Sequence, residues 1–162
     1  MIHVGAVSAL QASVGRSCGA AEASAREYAE IFKDRFYLEV QANNLPEQLK
    51  VNAALLELGP RWGLPVVATN DVHYLKSEDA RAHDVLLCIQ TGKTVHDVER
   101  LKFRTDQLYF KPASEMADYF KEIPEAIANT VAIARRCHLE FDFKTYHFPK
   151  FDTRGTQSAE EF

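Results

Sequence analysis

Residues 36–74 constrain the fold more than any other stretch of the chain. Phe36-Tyr37-Leu38-Glu39-Val40-Gln41 is a short run rich in aromatic and branched side chains, the composition of a strand. Asn43-Asn44 reads as a turn. Pro46 and Glu47 then suit the first turn of a helix, where a missing N–H costs nothing and a carboxylate meets the positive end of the dipole. Leu45, Leu49, Ala53 and Leu56 recur at helical spacing and predict an amphipathic helix to about Trp62, disturbed by Gly59-Pro60 and ended by Gly63. Pro65-Val66-Val67-Ala68-Thr69 follows as an apolar run of the kind buried on both faces. Strand, helix and strand with connections this short make a βαβ unit, with parallel strands and a right-handed crossover.

The second run ends in Asn70-Asp71-Val72-His73-Tyr74. In an extended chain, residues two apart leave on the same face, which places Asp71 and His73 together beyond the C-terminal end of the strand. In parallel α/β architectures that end carries the chemistry. A carboxylate beside an imidazole is a natural pair of metal ligands, although two donors do not close a site. The plainer alternative is that Asp71 caps a turn and His73 is an ordinary polar residue. Glu39 shares a face with Tyr37 and Gln41, and either reaches the same strand end or is a satisfied polar group beside it. His83 and His3 read as packed or solvated histidines.

Elsewhere, Ala21, Ala25, Tyr28 and Phe32 form one apolar helical stripe, with Glu22, Arg26, Glu27 and Glu30 opposite. Ser77 is an expected N-cap for a helix through Ala80, Asp84 and Leu87 that stops at Gly92. Gly92-Lys93-Thr94 matches the end of a phosphate loop. Leu87 stands where that motif needs its first glycine, and the segment closes a helix instead of opening one, so a nucleotide site there is excluded. Leu101–Arg104 and Leu108–Phe110, around Thr105-Asp106-Gln107, predict a hairpin. Ser114 is expected to cap a short helix carrying Met116 and Phe120. Pro124 opens another with Ala126, Ile127, Val131, Ile133 and Ala134 on its buried side, and Arg135, Arg136 and His138 at its negative end. Residues 141–151 read as an aromatic, basic connector packed on something, and residues 152–157 as a linker. Ser158-Ala159-Glu160-Glu161 is a capping box for a helix beyond the last residue. Residues 1–19 show no regular period, so both ends read as cut edges.

At 162 residues, with 46% hydrophobic and 26% charged residues, this is one domain's worth of ordinary globular chain. A net charge of −4 argues against an autonomous nucleic-acid binder, which normally shows a basic face. No apolar run is long enough to span a membrane, and no signal peptide is apparent. Cys18, Cys88 and Cys137 are odd in number and scattered, which fits reduced thiols and a cytoplasmic location.

Several segments together resemble the PHP domain at the start of the bacterial replicative DNA polymerase III alpha subunit. They are Arg35–Gln41, Gly63–Tyr74, Ala82–Thr94, Pro124-Glu125-Ala126, Asn129-Thr130, Ile133-Ala134 and Phe148–Phe151. The Ala-Thr-Asn-Asp-Val-His-Tyr and Cys-Ile-Gln-Thr-Gly-Lys-Thr blocks are the most specific. The resemblance implies a partial PHP-type (β/α) barrel of α/β class with parallel strands, plus the hairpin and C-terminal helices. Residues 1–144 would be the C-terminal part of the PHP domain and 145–162 a connector towards the polymerase palm. It implies that Asp71 and His73 are ligands of a divalent metal (zinc, manganese or iron), with magnesium serving a polymerase site outside this chain. The implied partners are the remainder of the alpha chain and, through it, DNA and other replisome subunits, with no membrane.

The family's upstream His-x-His motifs have no counterpart here, and Leu10 stands where a family cysteine ligand would fall. The expected role is therefore scaffold with part of a phosphoesterase or proofreading site. The alternatives are a free-standing PHP phosphoesterase and a metal-free interaction segment.

Overall fold

The computed structural model describes residues 3–4 and 18–149, with residues 3, 4 and 18 described by their backbone alone. Strand β1 (His3–Val4) is followed by α1 (Cys18–Phe32), β2 (Phe36–Gln41), α2 (Pro46–Trp62) and β3 (Val66–Thr69). A 3-10 turn (Ser77–Asp79) leads into α3 (Ala80–Thr91), and α4 (Ala113–Tyr119) and α5 (Pro124–Arg136) complete the order. The three strands are parallel and lie in the order β1-β2-β3. Leu38 stands opposite Val66 and Gln41 opposite Thr69. The βαβ unit and the α/β class expected from residues 36–69 are thus present. No helix among the described residues is long and apolar enough to cross a membrane.

The core is built on one face of β2. Phe36, Leu38 and Val40 are fully buried and pack with Val51 and Leu55 of α2, Val66 and Ala68 of β3, and Phe120 and Ala126. Alternate residues of a strand share a face, so these three large apolar side chains line the buried side together. Ala21 and Ala25 let α1 lie close to the sheet, and Tyr28 sets its ring 5.8 Å from Phe36. On β3, the Val66 carbonyl accepts a 2.7 Å hydrogen bond from Asn129 of α5. Arg136, at the end of α5, donates to the Tyr37 hydroxyl at 3.0 Å and pairs with Asp34 at 2.9 Å.

Gly59 faces the sheet, where a Cβ would meet Leu38 Cδ1 at 3.2 Å and the Leu64 carbonyl at 3.3 Å. Gly63 ends α2 with φ of 67°, and the Gly63 and Leu64 N–H groups return to the Pro60 and Gly59 carbonyls at 3.3 and 3.0 Å. That left-handed conformation is costly for a residue with a Cβ, and nothing crowds the position. Gly63→Ala is therefore expected to lower stability by about 1 kcal/mol, read as a lower urea midpoint at unchanged slope.

Four expectations need correction. The buried face of α2 is Gln48, Val51, Asn52, Leu55 and Gly59, whereas Leu49 and Ala53 are exposed. Two amides displace the leucine stripe because Asn52 serves the backbone of β2: its Nδ2 donates to the Gln41 carbonyl at 2.9 Å. On α5, Val131 and Ala134 are exposed while Ala126 is buried. The hairpin over 101–110 does not form. The backbone of Leu108 and Phe110 is taken instead by His73 and Tyr74, through bonds of 2.8 Å (His73 N to Leu108 O) and 2.9 Å (Phe110 N to Tyr74 O). Neither Ser77 nor Ser114 is an N-cap: Ser77 opens the 3-10 turn, and α4 begins at Ala113 after Pro112.

Residues 137–149 carry no helix or strand, and Phe141, Phe143, Tyr146 and Phe148 are exposed among the described residues. The expectations for Leu10 and for residues 150–162 lie outside the described residues.

Candidate functional site

β3 ends at Thr69, and the Thr69 hydroxyl donates to the Glu39 carboxylate. Glu39 is thus a satisfied polar group at the strand end, the plainer of its two readings. The next side chain, Asn70, donates through Nδ2 to the Tyr109 carbonyl, which fixes the amide's orientation. Its Oδ1 is buried and has no partner among the described residues.

The chain then bends, because Val72 N–H donates to the Asn70 carbonyl at 2.9 Å and closes a three-residue turn on Asp71. Asp71 and His73 are therefore not paired by strand alternation. The turn itself brings them together. His73 Nδ1 lies 2.9 Å from the Asp71 carbonyl oxygen and 3.8 Å from its Oδ1. A carbonyl only accepts, so Nδ1 is the donor of this contact and, in the neutral ring, Nε2 is the atom that can ligate. The two side chains retain 28% (His73) and 50% (Asp71) exposure, so both can meet a ligand from solvent.

Long-range contacts set the ring. His73 and Tyr74 N–H groups both reach the Leu108 carbonyl, at 2.8 and 3.4 Å. The His73 ring centroid sits 5.2 Å from that of His83 on α3 and 5.0 Å from that of Phe103. Sequence reasoning set His83 aside as a packed histidine and gave Phe103 to a hairpin. Both pack, but they pack on His73. Their distance along the chain hid this, and the alternation of Arg100, Lys102 and Arg104 around Phe103 was the one local signal of a functional wall there.

Around this patch the polar groups are held firmly. Tyr109 donates to Glu115, whose carboxylate pushes the phenol up to about 12. Lys111 is buried, donates to the Gln107 carbonyl and places Nζ 4.0 Å above the Tyr109 ring; burial lowers its pKa. Arg100 grips Asp84 through two bonds of 2.6 and 2.8 Å, and holds its carboxyl below the ordinary 3.8. A carboxyl depressed on folding contributes stability above its unfolded pKa and loses it as pH falls through the folded value. Asp84→Asn is expected to flatten the acid side of the stability curve. The gap between parent and variant is present above the ordinary carboxyl value and closes as pH falls through the lower folded value. Urea midpoints across that range check it.

A divalent metal suits this donor type, since the Asp71 carboxylate and the free Nε2 of His73 are ordinary first-row metal ligands. The two do not make a site by themselves. Among the described residues no group of three or more histidine, cysteine, aspartate or glutamate side chains converges.

Parallel strands joined by helices define a protein of the α/β class, and a carboxylate and an imidazole lie together just past the C-terminal end of β3. No family model matches the chain. It is 39% identical over 151 residues to DNA polymerase III subunit alpha of Pseudomonas fluorescens, covering 93% of this chain and 13% of the relative. The same subunit of Treponema pallidum is 48% identical over 120 residues (74% of this chain, 10% of the relative). That of Thermus aquaticus is 46% identical over 137 residues (81% and 11%). The chain is a homologue of one segment of the DNA polymerase III alpha subunit, and spans little more than a tenth of the length of these relatives.

Proposed function

We propose that the chain acts as a segment of a DNA-synthesising alpha chain, forming part of a PHP-type domain beside the polymerase parts. The observation that carries this reading is the identity of 39% over 93% of the chain to an alpha subunit. The relatives' names favour neither a free-standing phosphoesterase nor a metal-free interaction segment.

Asp71 and His73 are two ligands of a divalent metal, completed by donors outside the described residues. Zinc, manganese and iron suit an imidazole and a carboxylate. The tautomer of His73 supports the assignment, because its Nδ1–H is held by the Asp71 carbonyl and Nε2 is left as the ring's ligating atom. Such a metal would activate a water against a phosphoester, and magnesium would serve nucleotidyl transfer elsewhere in the alpha chain. The partners are the remainder of the alpha chain, DNA and the replisome.

The test grafts this chain into the Thermus aquaticus alpha subunit in place of the matching residues. The graft is expected to keep primer extension and to bind metal, and Asp71→Ala with His73→Ala to lose about one equivalent by elemental analysis. A folded graft that cannot extend a primer sinks the polymerase reading. Unchanged metal content in the double variant sinks the ligand assignment.

A further inference from the structure

A cleft of about 550 Å³ opens beside the His73 cluster, between α3 and residues 102–106. Its lining combines three cations, Arg81, Lys102 and Arg104, with three flat rings, Tyr74, His83 and Phe103. Among the described residues none of the three cations has an ion-pair partner. Two carboxylates also line the cleft. Asp84 is offset by its two bonds to Arg100 and by the nearby Lys102, and Asp106 accepts a 2.7 Å bond from the Gln107 amide. The cleft is therefore locally positive on a chain whose net charge is −4.

Like charges gathered in a concave wall focus a positive potential, and their complement is an anion. Rings among the cations narrow the choice. A bare inorganic anion gains nothing from Phe103, whereas a ligand that carries a phosphate and a planar base uses both kinds of wall. The volume lies in the range of small-ligand sites. We propose that this cleft binds a nucleotide unit, its phosphate on Arg81, Lys102 and Arg104 and its base against Phe103 and His83. This goes beyond the function proposed above, and it stands on the cleft alone: neither Asp71 nor His73 lines the cleft, and no metal is required. The same chemistry is offered by a free mononucleotide and by one residue of a single strand.

The experiment uses the 162-residue chain. Binding of a fluorescein-labelled short oligothymidylate is followed by anisotropy, with dTMP and inorganic phosphate as competitors and circular dichroism as the check on folding. The expected result is saturable binding that weakens with salt and falls at least about tenfold in Arg81→Gln with Arg104→Gln. Phe103→Leu is expected to weaken strand and dTMP by about tenfold and to leave phosphate unchanged. Lys102→Gln, one exposed charge, serves should the double variant lose its fold. Full displacement of the strand by dTMP assigns the cleft to a free nucleotide, and resistance to dTMP assigns it to a strand. Absence of saturable binding at low salt overturns the proposal, as does equal binding by folded variants. Competition by phosphate that matches dTMP reduces the cleft to a simple ion site and overturns it too.

Discussion

Phe36→Ala is expected to remove about 3–5 kcal/mol of stability. Phe36 is 0% exposed, opens the central strand and contacts Tyr28 ring to ring at 5.8 Å. Deleting the ring forfeits its transfer free energy and leaves a void that the surroundings fill only in part. Collapse is restricted here. Backbone hydrogen bonds hold β2 on the β3 side, with Leu38 N–H on the Pro65 carbonyl at 2.8 Å, and α1 is already close-packed through Ala21 and Ala25. Domains of this size are stable by only about 5–15 kcal/mol, so the variant approaches the threshold of unfolding at room temperature. Urea denaturation checks it. A loss under about 1.5 kcal/mol would mean that the pocket closes and that β2 is not the centre of the core.

The strand of Phe36 was legible because its signals are local. Aromatic and branched residues end at Asn43-Asn44, and the strand stops at Gln41. The bounds of α2 follow from Pro46 and Gly63 for the same reason, since each acts through its own backbone dihedral. The facing of α2 was not legible. Hydrophobic spacing selected Leu49, which is 48% exposed, over Asn52, because the periodic argument treats every amide as solvent-facing.

The candidate site divides along the same line. Asp71 and His73 were found by spacing, yet the spacing argument assumed a pleat, and the structure unites them by a turn on Asp71. His83, Phe103 and Leu108 reach His73 only through tertiary packing, which no window along the sequence contains. The failed hairpin has the same origin. Local composition favoured pairing 101–104 with 108–110, and the backbone groups went to residues 73–74 instead, with Leu108 buried at 1% exposure. Where a buried backbone can pair with either of two segments, burial of the connecting side chains decides, and turn propensity gives way.

Asn52→Leu, which keeps the branching at Cγ and removes both polar atoms, is expected to cost about 2–4 kcal/mol, because one amide serves three groups. Asn52 Nδ2 donates to the Gln41 carbonyl at 2.9 Å, while Oδ1 accepts from the Gln41 N–H at 3.3 Å and from Gln48 Nε2 at 3.0 Å. Among the described residues β1 pairs with β2 no further than Tyr37, and Asn52 takes the place of a strand neighbour for Gln41 at the end of β2. A leucine there is more apolar but removes both halves of that substitute ladder, leaving a donor and an acceptor in a partly buried strand end. Amide hydrogen exchange separates this from a general loss of packing. Protection is expected to fall at Gln41 and to persist at Leu38, whose N–H is held by Pro65. The strand end also supports the site: Thr105 donates to the Asn43 carbonyl at 2.7 Å and ties the loop of Phe103 to the residues after Gln41. Loosening Gln41 should therefore broaden the ring signals of Phe103 and His73 while the β2–β3 ladder remains. Equal loss of protection along all of β2 would show that Asn52 contributes only to global stability and does not anchor the strand end.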